Sequence, residues 1–371
     1  MKVIVLLYAI VAFSSATPIT RQKPRFLNHF HSPPPPPLTS RLAGSGVWKT
    51  IQMQQDNFNS SNNNVWNMRY IENNQFFQPG GPIFIMLGAE WTIALGFVQG
   101  GLMFDMAREN GGAMYYTEHR YYGQSFPVSN LTTKNLKFLS TEQALEDVAV
   151  FIRMLKSNSE FVNSKIIVCG GSYGGNLAIW MRATYPTLVH AAWSSSAPVL
   201  AKVDFFEYSE VVGQALANCS YIIRDALQEI QRMLQTPEGR TRVSTDFNFC
   251  KPLEENNFAG TTYFFATIFG SFAGDVQYAQ TQTLAKICHQ LLDPLYKTPY
   301  SSLVKYFQTK VDEKCNGGYS NAIHSYNVTD LNHGNDESHC ADMASKRPED
   351  SEQLASAKYT VQNMISYWLT Q

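Results

Sequence analysis

The chain lacks any excess of charge. Only 16% of its 371 residues are charged, and 29 Lys and Arg stand against 30 Asp and Glu, a formal net charge of −1. With near-neutral balance and no basic stripe, the sequence argues against nucleic acid as a partner. It also lacks a long apolar run. The Val3–Phe13 stretch is too short to span a bilayer, and no later window is uninterrupted over a spanning length. The mature chain is therefore expected to be soluble, luminal or extracellular, with no membrane partner. What remains is an ordinary globular composition, 44% hydrophobic, long enough for one large domain or two.

The N terminus reads as a secretory signal over residues 1–16. Lys2 supplies the charge, Val3–Phe13 the apolar segment, and Ser14-Ser15-Ala16 the small residues before cleavage. Four N-x-S/T sequons, at Asn59, Asn130, Asn218 and Asn327, suit a secreted chain. So do the six cysteines. Cys169 lies in an apolar strand and is expected as a buried free thiol. Cys219, Cys250, Cys288 and Cys315 fall in one segment and are expected to form two bridges, for which sequence alone allows three connectivities. Residues 17–45 contain five consecutive prolines, Pro33–Pro37, and read as an extended linker or propeptide.

The stretch richest in chemistry is Lys165–Gly175, KIIVCGGSYGG. An apolar strand, Ile166–Cys169, runs into a Gly-rich turn around Ser172, and Asn176–Thr184 follows with helical spacing. This is G-x-S-x-G between a strand and a helix, the context in which the motif presents a nucleophile. Gly170 and Gly174 are expected to remove collisions around the strained serine. The Tyr173 N–H, opening the helix, can face a developing oxyanion. A second donor is expected from the loop after the apolar run Ile83–Leu87, as the backbone N–H of Ala89 or Glu90.

Around this stretch, strands and helices alternate from Ile83 to Ala197, as a mostly parallel sheet requires. Two period-two segments, at 48–53 and 66–71, read as antiparallel strands preceding it. Leu102–Glu109 reads as a helix and Ala113–Thr117 as a strand. Ser140–Ser157 is a helix with Ser140 and Gln143 as a capping box. Val189–Trp193 is a further strand. In the polar-aromatic run Glu118–Ser125, His119 precedes Ser172 and so breaks the order Ser, acid, His of this fold class. A structural role is expected for it, with Arg120 pairing an acid beneath the site. From Val203 the alternation stops. Helical periodicity at 211–216, 222–234 and 281–292, with a short aromatic segment Phe264–Phe272, reads as a helical insertion that would roof the nucleophile. In the tail, His339 stands just before an apolar-faced helix, Leu354–Leu369, in the place of a triad base.

Gly88–Trp91, EHRYYG at 118–123, GGSYGG at 170–175, SSSAP at 194–198 and SHCADM at 338–343 together resemble the S28 serine peptidases. The resemblance spans about residues 45–371. It implies an α/β-hydrolase core with a mainly helical, disulfide-containing insertion domain: core at 46–202, insertion at 203–315, and a shortened core segment at 316–371. It implies cleavage of peptides next to proline, by carboxypeptidase or dipeptidyl-peptidase action, in a secreted or lysosomal setting. Ser172 is then the nucleophile, His339 the base and Tyr173 an oxyanion donor, and no metal or organic cofactor is needed. It also implies the pairs Cys219–Cys288 and Cys250–Cys315, and allows a homodimer. One departure stands out. The family carries its acid in a Gly-x-x-Asp-Pro-Trp loop, and no Asp-Pro-Trp occurs in this chain. Asp330 and Asp336 precede His339 in the right order, but neither follows a recognisable strand. The rival expectations are a homologue that binds peptides without cleaving them, a truncated isoform, and, below both, a lipase or esterase.

Overall fold

The computed structural model describes residues 46–308, except 204, 250, 251, 256, 280 and 281, together with residues 352–370. Residues 1–45 and 309–351 lie outside the description, and with them the signal and proline-rich segments, Cys315, Asn327, Asp330, Asp336, His339 and Cys340. Cys250 is outside it as well. The described chain separates into two compact units, 46–200 with 352–370 and 201–308.

The first unit is built on a six-stranded mixed sheet in the order β1-β2-β4-β3-β5-β6. The strands are β1 (Val47–Gln54), β2 (Val65–Asn73), β3 (Ile83–Leu87), β4 (Ala113–Thr117), β5 (Ile166–Gly171) and β6 (Ala191–Ser195). β1, β2 and β4 pair antiparallel, while β4, β3, β5 and β6 pair parallel. Every residue of β3 is buried, which is why its sequence shows no polar alternation. The alternation survives in where the side chains go. Ile83, Ile85 and Leu87 join one apolar layer, and Phe84 and Met86 join the other.

Helices cover both faces. On the first lie α3 (Thr141–Lys156) and α4 (Tyr173–Thr184), through Leu145, Val148, Phe151, Ile152, Leu177 and Met181. On the second lie α1 (Gly96–Gln99), α2 (Leu102–Glu109) and the terminal helix α11 (Glu352–Thr370), the last through Ile365 and Trp368. Lys165 Nζ and His190 Nε2 bond the carbonyls of Leu369 and Trp368, at 2.8 and 2.6 Å, which ties α11 to the sheet. This is the α/β-hydrolase class, with the serine turn between a central parallel strand and its helix.

The second unit is helical: α5 (Phe206–Ala215), α6 (Ser220–Met233), α7 (Pro237–Asp246), α8 (Phe258–Gln277), α9 (Thr283–Leu291) and α10 (Pro299–Gln308). Its core is aromatic, with Phe247, Phe264, Phe272, Tyr300, Tyr306 and Phe307 packed mostly edge to face. Cys219 and Cys288 are disulfide-bonded, and Cys169 of β5 is a buried free thiol.

Three expectations are corrected. Phe264–Phe272 is not a short separate segment but the middle of the 20-residue helix α8, whose apolar residues run around much of its circumference. The capping box forms by one arm only. Ser140 accepts from the Gln143 N–H at 3.3 Å, but the Gln143 side chain turns away to the Asp56–Asn57 loop. The strand expected at Val189–Trp193 is shifted to Ala191–Ser195, so two serines of the SSSAP run belong to the sheet.

Candidate active site

Ser172 stands where β5 hands over to α4, with φ 54° and ψ −130°. A positive φ on a non-glycine residue is strained and persists only where the surroundings over-determine it. They do so here. The Ser172 N–H donates to the carbonyl of Ser195 in β6 at 2.9 Å, and the Ser172 carbonyl accepts from Gly175 N at 2.9 Å. The turn is so tight that a Cβ on Gly170 would stand 1.9 Å from the Gly174 carbonyl oxygen. One on Gly174 would stand 2.9 Å from the Leu87 carbonyl and 3.7 Å from the Ala89 side chain. The helix start and the loop after β3 therefore meet. The structure thus sets Ala89 against Gly174, two residues beyond Ser172, with Glu90 next in the loop. The Tyr173 N–H opens α4, where the first N–H groups have no intrahelical acceptor. Ser172 itself is partly exposed.

The loop after β3 is held by a buried carboxylate that sequence reasoning passed over. Glu118 accepts from Arg69 Nε and Nη2 at 2.8 and 2.7 Å, from Gln124 N at 2.9 Å, from Ser125 Oγ at 2.8 Å and from Ile93 N at 3.3 Å. One side chain thus ties β2, the 118–125 turn and the loop carrying Ala89 and Glu90. The nearby indole N–H of Trp91 donates to Tyr116 Oη at 2.7 Å. The signal was present as the first residue of EHRYYG, but its partner Arg69 lies 49 residues away.

Arg120 pairs an acid as expected. Its Nε and Nη2 reach Asp147 of α3 at 2.7 and 2.8 Å, and Nη1 donates to the Phe138 carbonyl at 2.9 Å. Asp147 also accepts from Asn57 Nδ2 at 2.8 Å. Both members of the pair are buried, and this network of partners is what makes burying them tolerable.

His119 is buried too. Its Nδ1 lies 2.7 Å from the Arg120 carbonyl, which can only accept, so Nδ1 carries the proton and Nε2 is left as an acceptor. Burial lowers its pKa to about 4, the Arg120 charge adding to the effect and the carbonyl bond opposing it. Nε2 faces the Tyr173 hydroxyl at 3.4 Å, and that hydroxyl is 3.4 Å from Thr141 Oγ1. Burial raises the pKa of Tyr173, and raises that of Tyr122 to about 12, so both phenols are neutral. Burial also raises the Glu90 carboxyl. Among the described residues no cluster of His, Cys, Asp and Glu is arranged to hold a metal.

Chemically, the arrangement offers a hydroxyl on a strained turn at the start of a helix, with the loop after β3 packed against that start. That set suits attack on a carbonyl and stabilisation of the oxyanion formed. The expected base, His339, and the two candidate acids lie outside the described residues. Of the sequons, Asn59, Asn130 and Asn218 are exposed.

The family model described as "Serine carboxypeptidase S28" matches residues 53–335. A bovine (Bos taurus) lysosomal Pro-X carboxypeptidase is 36% identical over 218 residues, covering 56% of this chain and 44% of that protein. The human (Homo sapiens) thymus-specific serine protease is 32% identical over 285 residues, covering 71% of this chain and 55% of that protein. The chain spans about half the length of the curated relatives it matches. Among solved structures, a proline iminopeptidase from Mycobacterium smegmatis aligns at 13% identity over 76% of each chain, with a TM-score of 0.35.

Proposed function

The chain belongs to the serine carboxypeptidase S28 family, and on that premise we propose that it is a serine exopeptidase of the secretory pathway whose nucleophile is Ser172. The carrying observation is the strained Ser172 turn closed by Gly170 and Gly174 against the loop after β3. In the proposed reaction Ser172 Oγ attacks the scissile carbonyl as His339 takes its proton. The tetrahedral oxyanion is met by the N–H of Tyr173 and that of Ala89 or Glu90. Collapse releases the amine fragment, protonated by His339, and water then hydrolyses the acyl-enzyme. The substrates are peptides cleaved next to proline, which is what the Pro-X carboxypeptidase relative is named for. The leader at 1–16, the sequons and the disulfide support a secreted or lysosomal location.

A second reading rests on one specific observation, the absence of Asp-Pro-Trp from the sequence. Without an acid the imidazole tautomer is unfixed, and the analogous loss in a serine protease lowers turnover about ten thousand-fold. On that reading the chain is a homologue that binds peptides and turns them over too slowly to matter. Hydrolysis of proline-containing peptides by the purified chain and by Ser172→Ala separates the two. Ser172-dependent cleavage upholds the peptidase. Saturable peptide binding without cleavage upholds the second reading.

A further inference from the structure

We propose that His119 is a positioning residue for the peptidase reaction, acting through the Tyr173 hydroxyl to fix the backbone N–H that follows Ser172. The inference rests on the proposed function, which makes that N–H an oxyanion donor.

The strained turn sets the requirement. With Ser172 at φ 54°, the peptide leading into Tyr173 relaxes unless its neighbours forbid it. Tyr173 is the first residue of α4 and bears the ring through which its backbone can be held. Its hydroxyl lies between His119 Nε2 and Thr141 Oγ1, 3.4 Å from each. The ring packs against His119 and Trp180, with centroids 5.6 and 6.4 Å away.

His119 is fit for this because it is itself immobile. The Arg120 carbonyl holds Nδ1–H, Tyr122 packs edge to face at 5.3 Å, and Arg120 is locked to Asp147. The tautomer follows from the carbonyl, so Nε2 accepts and the Tyr173 hydroxyl donates. A path of direct contacts thus runs from α3 through Asp147, Arg120 and His119 to Tyr173, while Thr141 returns to α3. His119 touches no reacting atom in this scheme.

The test is a double-mutant cycle on hydrolysis of a proline-containing peptide. Tyr173→Phe and His119→Leu should each lower kcat about tenfold with KM unchanged, less than the hundredfold or more that follows outright removal of an oxyanion donor. The double variant should lose no more than either single, and His119→Gln, which keeps an acceptor, should recover most of the rate. Additive losses, a change confined to KM, or an unaltered kcat in Tyr173→Phe would overturn the inference. Should His119→Leu fail to fold, Tyr173→Phe and His119→Gln still decide it. Imidazole 15N shifts give a reading independent of turnover. The His119 Nε2 resonance should move in Tyr173→Phe, and an unmoved resonance overturns the inference. If the wild-type chain neither cleaves peptide nor reacts with a fluorophosphonate, the proposed function is what fails, and the 15N shift alone then decides whether the two side chains are coupled.

Discussion

The two compact units solve the problem of stability in opposite ways. The sheet unit buries charge. Arg120–Asp147 and Arg69–Glu118 are held inside it, each with further hydrogen-bond partners besides the ion pair. The helical unit keeps its ion pairs, such as Arg224–Asp225 and Arg242–Asp246, largely in solvent, and relies on an aromatic core and the Cys219–Cys288 bridge. Apolar packing and a covalent tie hold helices together but specify position loosely. A buried ion network is costly unless each group sits in one place. The unit that holds Ser172 in its strained turn is the one that carries such networks.

That contrast can be broken by substitution. The largest effect is expected for Asp147→Ala, which strands Arg120 in the interior and should cost about 3–5 kcal/mol. Chemical denaturation should show it, with loss of any Ser172 reactivity. Next comes the Cys219→Ser/Cys288→Ser pair. The bridge closes a separation of 69 residues, and its loss should cost about 2–4 kcal/mol. If the units melt separately, calorimetry should place that loss in the helical transition. A smaller effect belongs to His119. Its folded pKa, about 4, lies below the ordinary value of 6.5, so the unfolded chain binds the proton first as pH falls. Stability should drop as pH goes from 6.5 towards 4 and level off below that, with about 1.5 kcal/mol lost by pH 5. His119→Gln should flatten that slope in urea midpoints measured against pH. Smallest of all is Arg242→Ala, which removes an exposed i, i+4 pair and should leave the denaturation midpoint almost unmoved. A loss comparable to that of Asp147→Ala would sink the contrast.

What the sequence revealed follows from the range of the interactions involved. The β3 run, the serine turn and the Ser140 cap are local, and each is legible from a few neighbouring residues. Gln143 deceived because its competing partners, Asp56 and Asn57, lie 87 and 86 positions away. Glu118 escaped for the same reason. In the helical unit, α8 was obscured by its own composition. FFATIF looks like a strand by propensity, and a helix apolar on most sides shows no clean 3.6-residue stripe. By contrast α7 carried readable signals that went unused. Thr236 caps it by accepting from Gly239 N at 3.0 Å, and Pro237 fills its first position. In the site, order and motif pointed to Ser172, to Tyr173 and to Ala89 or Glu90. The Tyr173 hydroxyl and His119 became a pair only when the turn after β4 met the start of α4.

The proposed peptidase activity depends on Ser172 as the nucleophile. The direct measurement is intact-mass analysis of the purified full-length chain after exposure to a fluorophosphonate, with the adduct located by peptide mapping. One phosphonyl group on Ser172, formed at a saturable rate and absent from Ser172→Ala, is the predicted result. No adduct in a folded wild-type chain, or labelling that persists in Ser172→Ala, would contradict it.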